Sequence, residues 1–105
     1  MAKDAGAQYD SAIQFAAKEF GVDPDILHGI AYAESRYNPK ATSPKGAQGM
    51  MQFMPDTAKR FGIDPSDPEQ AIFGAAQYLK ENLDKFKGDY GKAVAAYNWG
   101  ENRKE

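Results

Sequence analysis

Apolar residues recur at steps of three and four along most of the chain, which is the period of an α-helix. The first run occupies residues 9–20 and is followed by Gly21, a residue type that commonly ends helices. A second run starts at Asp23 and Pro24, which have the residue types of an N-cap and a first helical position. It should end before Pro39, because the residue that precedes a proline avoids helical backbone angles.

The same period predicts three further helices in the second half of the chain. A short helix should run through residues 55–62, a long amphipathic one through residues 72–86, and a last one through residues 90–97. Residues 38–52 are rich in turn-forming residue types and are expected to form a loop. No alternating pattern typical of a strand occurs. The prediction is a single all-α domain of about five helices.

Glu34 interrupts the apolar side of the second helix. It follows Ile30 by four residues and Leu27 by seven, which places all three on one face. Burial disfavours a charged carboxylate, so the pKa of such a side chain would rise. It could then donate a proton near neutral pH, as cleavage of a glycosidic bond requires. The alternative is a glutamate that turns to solvent or pairs with a nearby base, and periodicity leaves both open. The bases within reach are Arg36, Lys40 and Lys45.

The loop that follows contains glycines, a glutamine and three methionines in a short stretch. Gly46 and Gly49 permit positive φ or a close backbone approach. Flexible methionine side chains would suit either a hydrophobic core or the lining of a sugar-binding cleft, and composition does not decide between the two. Gln52 stands among them and needs a hydrogen-bond partner if it is buried. The methionines are Met50, Met51 and Met54.

Composition excludes several classes of function. The chain has 105 residues and a formal net charge of -2, without the basic patch typical of nucleic-acid binding. It contains no cysteine and one histidine, His28, which we expect to lie off the apolar face without a functional role. Neither a metal site nor a cofactor is predicted. No apolar run is long enough to cross a membrane, and the first residues lack the apolar segment of a secretory signal.

Three motifs follow one another along the chain. They are Glu34-Ser35, the stretch SPKGAQGMMQFMP at residues 43–55, and AYNWG at residues 96–100. In this order and at these spacings they resemble the catalytic domain of the soluble lytic transglycosylases, a family related to goose-type lysozyme. The match extends over most of the chain. The resemblance implies a lysozyme-like helical fold in which residues 1–105 form one catalytic domain with a catalytic loop.

The resemblance also implies an activity, which is cleavage of the β-1,4 bond between N-acetylmuramic acid and N-acetylglucosamine in peptidoglycan. Glu34 would protonate the leaving oxygen. As a base it would then accept the proton of the muramoyl C6 hydroxyl while a 1,6-anhydro ring closes. Substrate-binding roles fall to Ser43, Gln52, Met54 and Tyr97, the last through a hydroxyl that orients the glutamate. Supporting roles fall to Ser35, Gly49, Met51 and Asn98.

Two features depart from the family pattern. Met50 stands in place of a leucine, a change that conserves volume. The chain also stops at Glu105, whereas family domains usually continue after the AYN residues with helices that close the cleft. We therefore expect either a minimal enzyme of phage type or a segment of a larger virion or secretion protein that acts at the bacterial cell wall or periplasm. The alternative functions are a lysozyme-type muramidase and a non-catalytic module that binds glycan or serves a structural role.

Overall fold

Helices occupy the segments whose apolar residues recur with helical period. A computed structural model describes residues 2–99, with side chains from residue 5 onward. Met1 and residues 100–105, and with them the closing glycine of the AYNWG motif, lie outside the described residues. No strand forms within the described part, which has only isolated bridges. The predicted all-α fold is confirmed. The helices are α1 (Ala2–Phe20), α2 (Pro24–Ser35), α3 (Pro55–Phe61), α4 (Pro68–Lys85) and α5 (Tyr90–Trp99).

Local chemistry explains where the helices begin and end. Asp23 caps α2, because its carboxylate accepts a hydrogen bond of 2.8 Å from the backbone N–H of Asp25. Asp67 caps α4 in the same way and accepts from the backbone N–H of Glu69 at 3.0 Å. Each cap is followed by a proline, as the sequence predicted for Asp23 and Pro24. α3 ends at Gly62, whose φ of 67° lies in the left-handed region.

The hydrophobic core is centred on α4, which packs against α1 and α5, while α1 also packs against α2. The loop between α2 and α3 belongs to this core, since Met50 and Met51 are fully buried and Phe53 is nearly so. Two of the three methionines are therefore core residues. Burial of this loop also requires that its backbone polar groups find hydrogen-bond partners. The largest fully buried side chains are Ile13, Leu27, Met50, Met51, Ile72 and Leu79.

A chain of three polar side chains ties α1 to α2 and to the turn that follows α2. The Nε2 atom of His28 lies 2.8 Å from Oδ1 of Asp10, and its Nδ1 atom lies 2.8 Å from the hydroxyl of Tyr37. A carboxylate only accepts hydrogen bonds, so Nε2 donates to Asp10. In the neutral ring Nδ1 then accepts from the Tyr37 hydroxyl. His28 is half-buried, outside the fully buried face of α2, and these contacts are structural.

Asp10→Asn is expected to lower the melting temperature at neutral pH. The hydrogen bond from His28, with a smaller one from Gln14, holds the pKa of the Asp10 carboxyl below its usual value. Such a carboxyl stabilises the fold above its unfolded pKa of about 3.9, and this contribution is lost as the pH falls through the lower folded pKa. The difference between variant and parent should therefore shrink below pH ~4, which thermal melts across a pH series would measure. A difference in melting temperature that stays constant down to strongly acidic pH would contradict a stabilising role of the charged Asp10 carboxyl.

Candidate active site

One open cleft of about 580 Å³ is bordered by the last turn of α2, by the loop after it and by the end of α5. Residues from all three sequence motifs line it. The fold thus brings together four of the residues singled out from the sequence: Glu34, Ser43, Gln52 and Asn98. The remaining described lining residues are Pro44, Lys45, Ala47 and Trp99.

Glu34 reaches the cleft because α2 ends beside it. Leu27 and Ile30 are buried on the same side of α2, whereas Glu34 is half-buried at the cleft. The helix stops one residue later, and Arg36 takes left-handed angles with a φ of 54°. Among the described residues that line the cleft, Glu34 is the one acidic residue. The described lining therefore offers a single carboxylate for proton transfer.

Ser35 fastens the loop to the end of α2. Its hydroxyl donates a hydrogen bond of 2.7 Å to the carbonyl oxygen of Met50, a fully buried residue. The same hydroxyl oxygen accepts a bond of 3.1 Å from the backbone N–H of Asn38. Ser35 is not among the described residues that line the cleft, and its contact with the loop is made to the loop backbone.

Gly49 lets the loop pass directly against the segment between α3 and α4. Its φ is +84°, and a Cβ atom at this position would overlap the carbonyl oxygen of Pro65. Its N–H donates a bond of 2.8 Å to the carbonyl of Ala41, which closes the loop on itself. Glycine alone meets the requirements of positive φ and close approach without strain.

Gln52 presents a hydrogen-bond acceptor to the cleft. Its amide nitrogen donates to the carbonyl oxygens of Gly49, at 2.9 Å, and of Ala41, at 3.2 Å, which uses both of its hydrogens. Its amide oxygen makes no hydrogen bond within the described chain. Every fully buried side-chain oxygen or nitrogen of the described residues has a partner, so this oxygen is not fully buried. Because Gln52 lines the cleft, the oxygen is accessible from there. The φ of Gln52 is 53°, a left-handed value that is costly for residues other than glycine and recurs at functional sites.

Ser43 presents a hydrogen-bond donor. Its hydroxyl oxygen accepts a bond of 2.9 Å from the N–H of Ala47, and its own N–H donates to the carbonyl of Ala47, also at 2.9 Å. These two bonds hold Ser43 in a tight turn and leave its hydroxyl hydrogen unused by the described chain. A donor and an acceptor thus line the same cleft as the Glu34 carboxylate.

Tyr97, Met51 and Met54 lie beside the cleft rather than in its described lining. Tyr97 is buried, and its hydroxyl donates a bond of 3.0 Å to the carbonyl of Met51, which joins α5 to the loop. Met54 is half-buried at the N-cap of α3. Asn98, next to Tyr97, is exposed and does line the cleft. The sequence-based roles of Tyr97 toward Glu34 and of Met54 toward a sugar stay predictions.

Four lining residues received no catalytic or substrate-binding role from the sequence, which named Lys45 only as a base that could pair with Glu34: Pro44, Lys45, Ala47 and Trp99. All four lie inside the quoted motifs. A motif assigns roles only to its named positions. Whether neighbouring side chains also reach the cleft depends on how the segments pack together. For Trp99 a signal was available, because it is the single tryptophan of the chain and stands within the AYNWG motif.

The described residues hold no group of three histidine, cysteine, aspartate or glutamate side chains that could bind a metal ion. Across the same part of the chain, no helix combines the length and the apolar character needed to cross a membrane. What the described lining does contain is a carboxylate, a hydroxyl, amide groups and the ammonium group of Lys45. Such groups suit proton transfer and the binding of a polar ligand.

Solved structures of lytic transglycosylases share this fold. The 70-kDa soluble lytic transglycosylase in complex with bulgecin A superposes with a TM-score of 0.79 at 33% identity, over 88% of this chain and 17% of that one. An inactive glutamate-to-glutamine mutant of the lytic transglycosylase Slt from Pseudomonas aeruginosa gives a TM-score of 0.75 at 31% identity, over 84% of this chain and 16% of that one. The chain therefore has the lysozyme-like helical fold of these enzymes, as predicted.

Sequence relatives specify the family. The transglycosylase of Enterobacteria phage PRD1 is 42% identical over 91% of this chain and 36% of its own length. Peptidoglycan transglycosylase gp16 of Escherichia phage T7 is 43% identical over 96% of this chain and 8% of its own length. Residues 11–105 match the family described as the Transglycosylase SLT domain, to which the chain belongs. The chain thus spans a minor part of the length of these relatives.

Gly49→Ala is expected to destabilise the fold by about 2 kcal/mol or more, because alanine would be strained at positive φ and would collide with the Pro65 carbonyl. Gly29→Ala is the matched control. Gly29 lies in α2 with open space around it, and alanine favours a helix over glycine by up to about 1 kcal/mol. Urea denaturation should therefore move the two midpoints in opposite directions. Two similar shifts would speak against the close approach at Gly49.

Proposed function

We propose that this chain is the catalytic domain of a peptidoglycan lytic transglycosylase. The observation that carries the proposal is the cleft itself, in which Glu34 is the one acidic residue of the described lining, accompanied by a donor on Ser43 and an acceptor on Gln52. Most glycosidases that hydrolyse their substrate use two carboxylates at a defined separation. A single acid suits a reaction in which the substrate supplies its own nucleophile.

The proposed reaction cleaves the β-1,4 bond between N-acetylmuramic acid and N-acetylglucosamine without water. Glu34 donates its proton to the glycosidic oxygen while the bond from this oxygen to C1 of the muramoyl residue breaks. The C6 hydroxyl of the same residue forms a bond to C1, and its proton passes to Glu34. One product ends in a 1,6-anhydromuramoyl residue and the other carries a free 4-hydroxyl. Glu34 is then protonated again and ready for the next cycle.

The donor on Ser43 and the acceptor on Gln52 complement an acetamido group. Such a group has one carbonyl oxygen that accepts and one N–H that donates, and the described residues leave the matching groups of both side chains unused. An acetamido group held beside Glu34 would stabilise the positive charge that develops at C1. We assign Tyr97 to orienting Glu34 and Met54 to contact with a sugar face. Supporting roles belong to Ser35, Gly49, Met51 and Asn98.

The names of related proteins support the same activity. The phage T7 relative is a peptidoglycan transglycosylase, and a relative from Alkalilimnicola ehrlichii, 40% identical over 89% of this chain, is a membrane-bound lytic murein transglycosylase. The Pseudomonas aeruginosa structure is that of a mutant made inactive with glutamine in place of a glutamate. Loss of activity on this substitution is the behaviour we expect of Glu34.

Glu34→Gln is expected to lower the rate of glycan cleavage by about a hundredfold to ten-thousandfold, because glutamine can neither donate nor accept the transferred proton. Glu19→Gln, an exposed glutamate of α1, is the matched control and should retain full activity. Mass spectrometry of digested peptidoglycan measures both the rate and the product. We expect 1,6-anhydromuramoyl ends from the parent chain and from the control.

The same experiment distinguishes the two alternative functions. Hydrated reducing ends in place of anhydro ends would identify a muramidase that admits water. Equal background activity of the parent and of Glu34→Gln would identify a non-catalytic module. Either result would overturn the proposed reaction.

Glu34→Gln is also expected to leave the melting temperature unchanged or slightly raised near pH 7. Glutamine has nearly the same volume as the half-buried glutamate and can still accept hydrogen bonds, so the packing at the end of α2 is preserved. Differential scanning calorimetry of variant and parent at the same pH provides the measurement. A clear drop in melting temperature would show instead that the carboxylate has a structural role.

We further propose that the domain acts at the bacterial cell wall as one part of a larger protein. The named relatives support this, because the chain spans 8% of the phage T7 protein and 20% of the Alkalilimnicola ehrlichii protein. One of these relatives is a phage protein and the other is membrane-bound. Peptidoglycan glycan strands are the proposed substrate in either setting.

A further inference from the structure

Trp99 is an exposed aromatic side chain inside the cleft. It lines the cleft together with Glu34 and Gln52, yet 62% of its surface remains accessible. A large aromatic side chain that lines a concave site and stays open to solvent offers surface that a ligand could bury favourably. The exposed indole is therefore suited to contact with a ligand in the cleft.

Phe15 provides a comparison with the same exposure. It is also 62% exposed, but its ring stacks on Phe73 with the ring centres 6.3 Å apart and an angle of 26° between the planes. Trp99 makes no ring contact and no hydrogen bond within the described part of the chain. Its exposed indole thus has no stacking partner among the described residues, which distinguishes it from the other strongly exposed aromatic residue.

The backbone that carries Trp99 is held in place relative to the loop. Tyr97, two residues earlier in α5, is buried and donates its hydroxyl hydrogen to the Met51 carbonyl. That bond ties the end of α5 to the loop that also contributes Gln52. A side chain mounted on an anchored helix end loses little conformational freedom when a ligand binds, which favours affinity.

We propose that Trp99 is a stacking platform for one sugar ring of the glycan strand, adjacent to the bond that Glu34 cleaves. Pyranose rings present C–H groups on their faces, and these pack against the electron-rich face of an indole. The polar edges of the sugar remain free for hydrogen bonds from groups such as those of Ser43 and Gln52. This inference rests on the proposed function, because it assumes a glycan in the same cleft.

The single tryptophan makes the contact directly measurable. The Glu34→Gln variant binds without cleaving, so it can be titrated with chitotetraose while tryptophan emission is recorded selectively. All of that emission comes from Trp99. We expect a saturable change in emission, with a midpoint equal to the dissociation constant obtained by calorimetry. Binding seen by calorimetry without any change in emission would overturn the proposal.

Substitutions test how much the ring contributes to binding. In the Glu34→Gln background, Trp99→Ala should weaken binding of chitotetraose by about tenfold, whereas Trp99→Phe, which keeps a ring face, should retain most of the affinity. Phe15→Ala is the matched control and should leave the affinity unchanged. Unaltered affinity in Trp99→Ala, or equal losses in Trp99→Ala and Phe15→Ala, would overturn the proposal, as would the absence of any chitotetraose binding.

Product analysis separates this inference from the proposed function. Anhydromuramoyl products from the parent chain, together with unaltered glycan binding in Trp99→Ala, would leave the proposed function standing and remove Trp99 from the site. A parent chain that forms no anhydromuramoyl product but binds chitotetraose through Trp99 would overturn the proposed function and leave the role of Trp99 in glycan binding standing. Trp99→Ala in the active parent should raise KM more than it lowers kcat, because stacking on a ring beside the reacting bond mainly affects binding.

Discussion

The structure depends on hydrogen bonds to the backbone of a buried loop. Residues 49–53 contribute fully buried side chains to the core although they form no regular element. Three side chains donate to carbonyl oxygens within this stretch: Ser35 to Met50, Tyr97 to Met51, and Gln52 to Gly49. A carbonyl removed from water without such a donor would cost about 1–3 kcal/mol. The loop can therefore be buried only while α2 and α5 hold it.

The same bonds build the cleft. Ser35 immediately follows Glu34, and Tyr97 lies two residues before Trp99, so each donor that satisfies the loop also fixes the backbone next to a cleft residue. Stability and site geometry are thus coupled through the loop. The left-handed backbone of Gln52 is locally unfavourable, and the surrounding core maintains it. This is the pattern expected where a fold is used to hold reactive groups in place.

The chain belongs to the SLT family, and the chemistry of its cleft agrees with a glycan ligand. The described lining holds one carboxylate, that of Glu34, together with a donor on Ser43 and an acceptor on Gln52 that the described chain leaves unused, and the exposed indole of Trp99. Each of these groups suits a glycan with acetamido substituents. A hydrogen-bond donor and an acceptor orient the ligand, whereas an aromatic face adds affinity through contacts that depend little on direction. The division of tasks that we propose for Ser43, Gln52 and Trp99 follows from the groups that each side chain can offer.

Features that depend on neighbours in the chain were predictable from the sequence. Apolar spacing located the helices, and Asp23 with Pro24 located the start of α2, because helix hydrogen bonds and caps are local. Ordered motifs pointed to Glu34, Ser43 and Gln52 as site candidates. Periodicity placed Glu34 beside Ile30 and Leu27 but left its surroundings open, since a helix pattern carries no information about what packs against its end.

By itself the sequence determined the fold class, the approximate helix boundaries and the identity of the candidate acid. Only the tertiary structure decided that Met50 and Met51 are core residues, that Gly49 is required by the approach of Pro65, and that Trp99 opens into the cleft. These outcomes depend on contacts between segments far apart in the chain. Such contacts follow from the simultaneous packing of all five described helices and the loop, which no local pattern records.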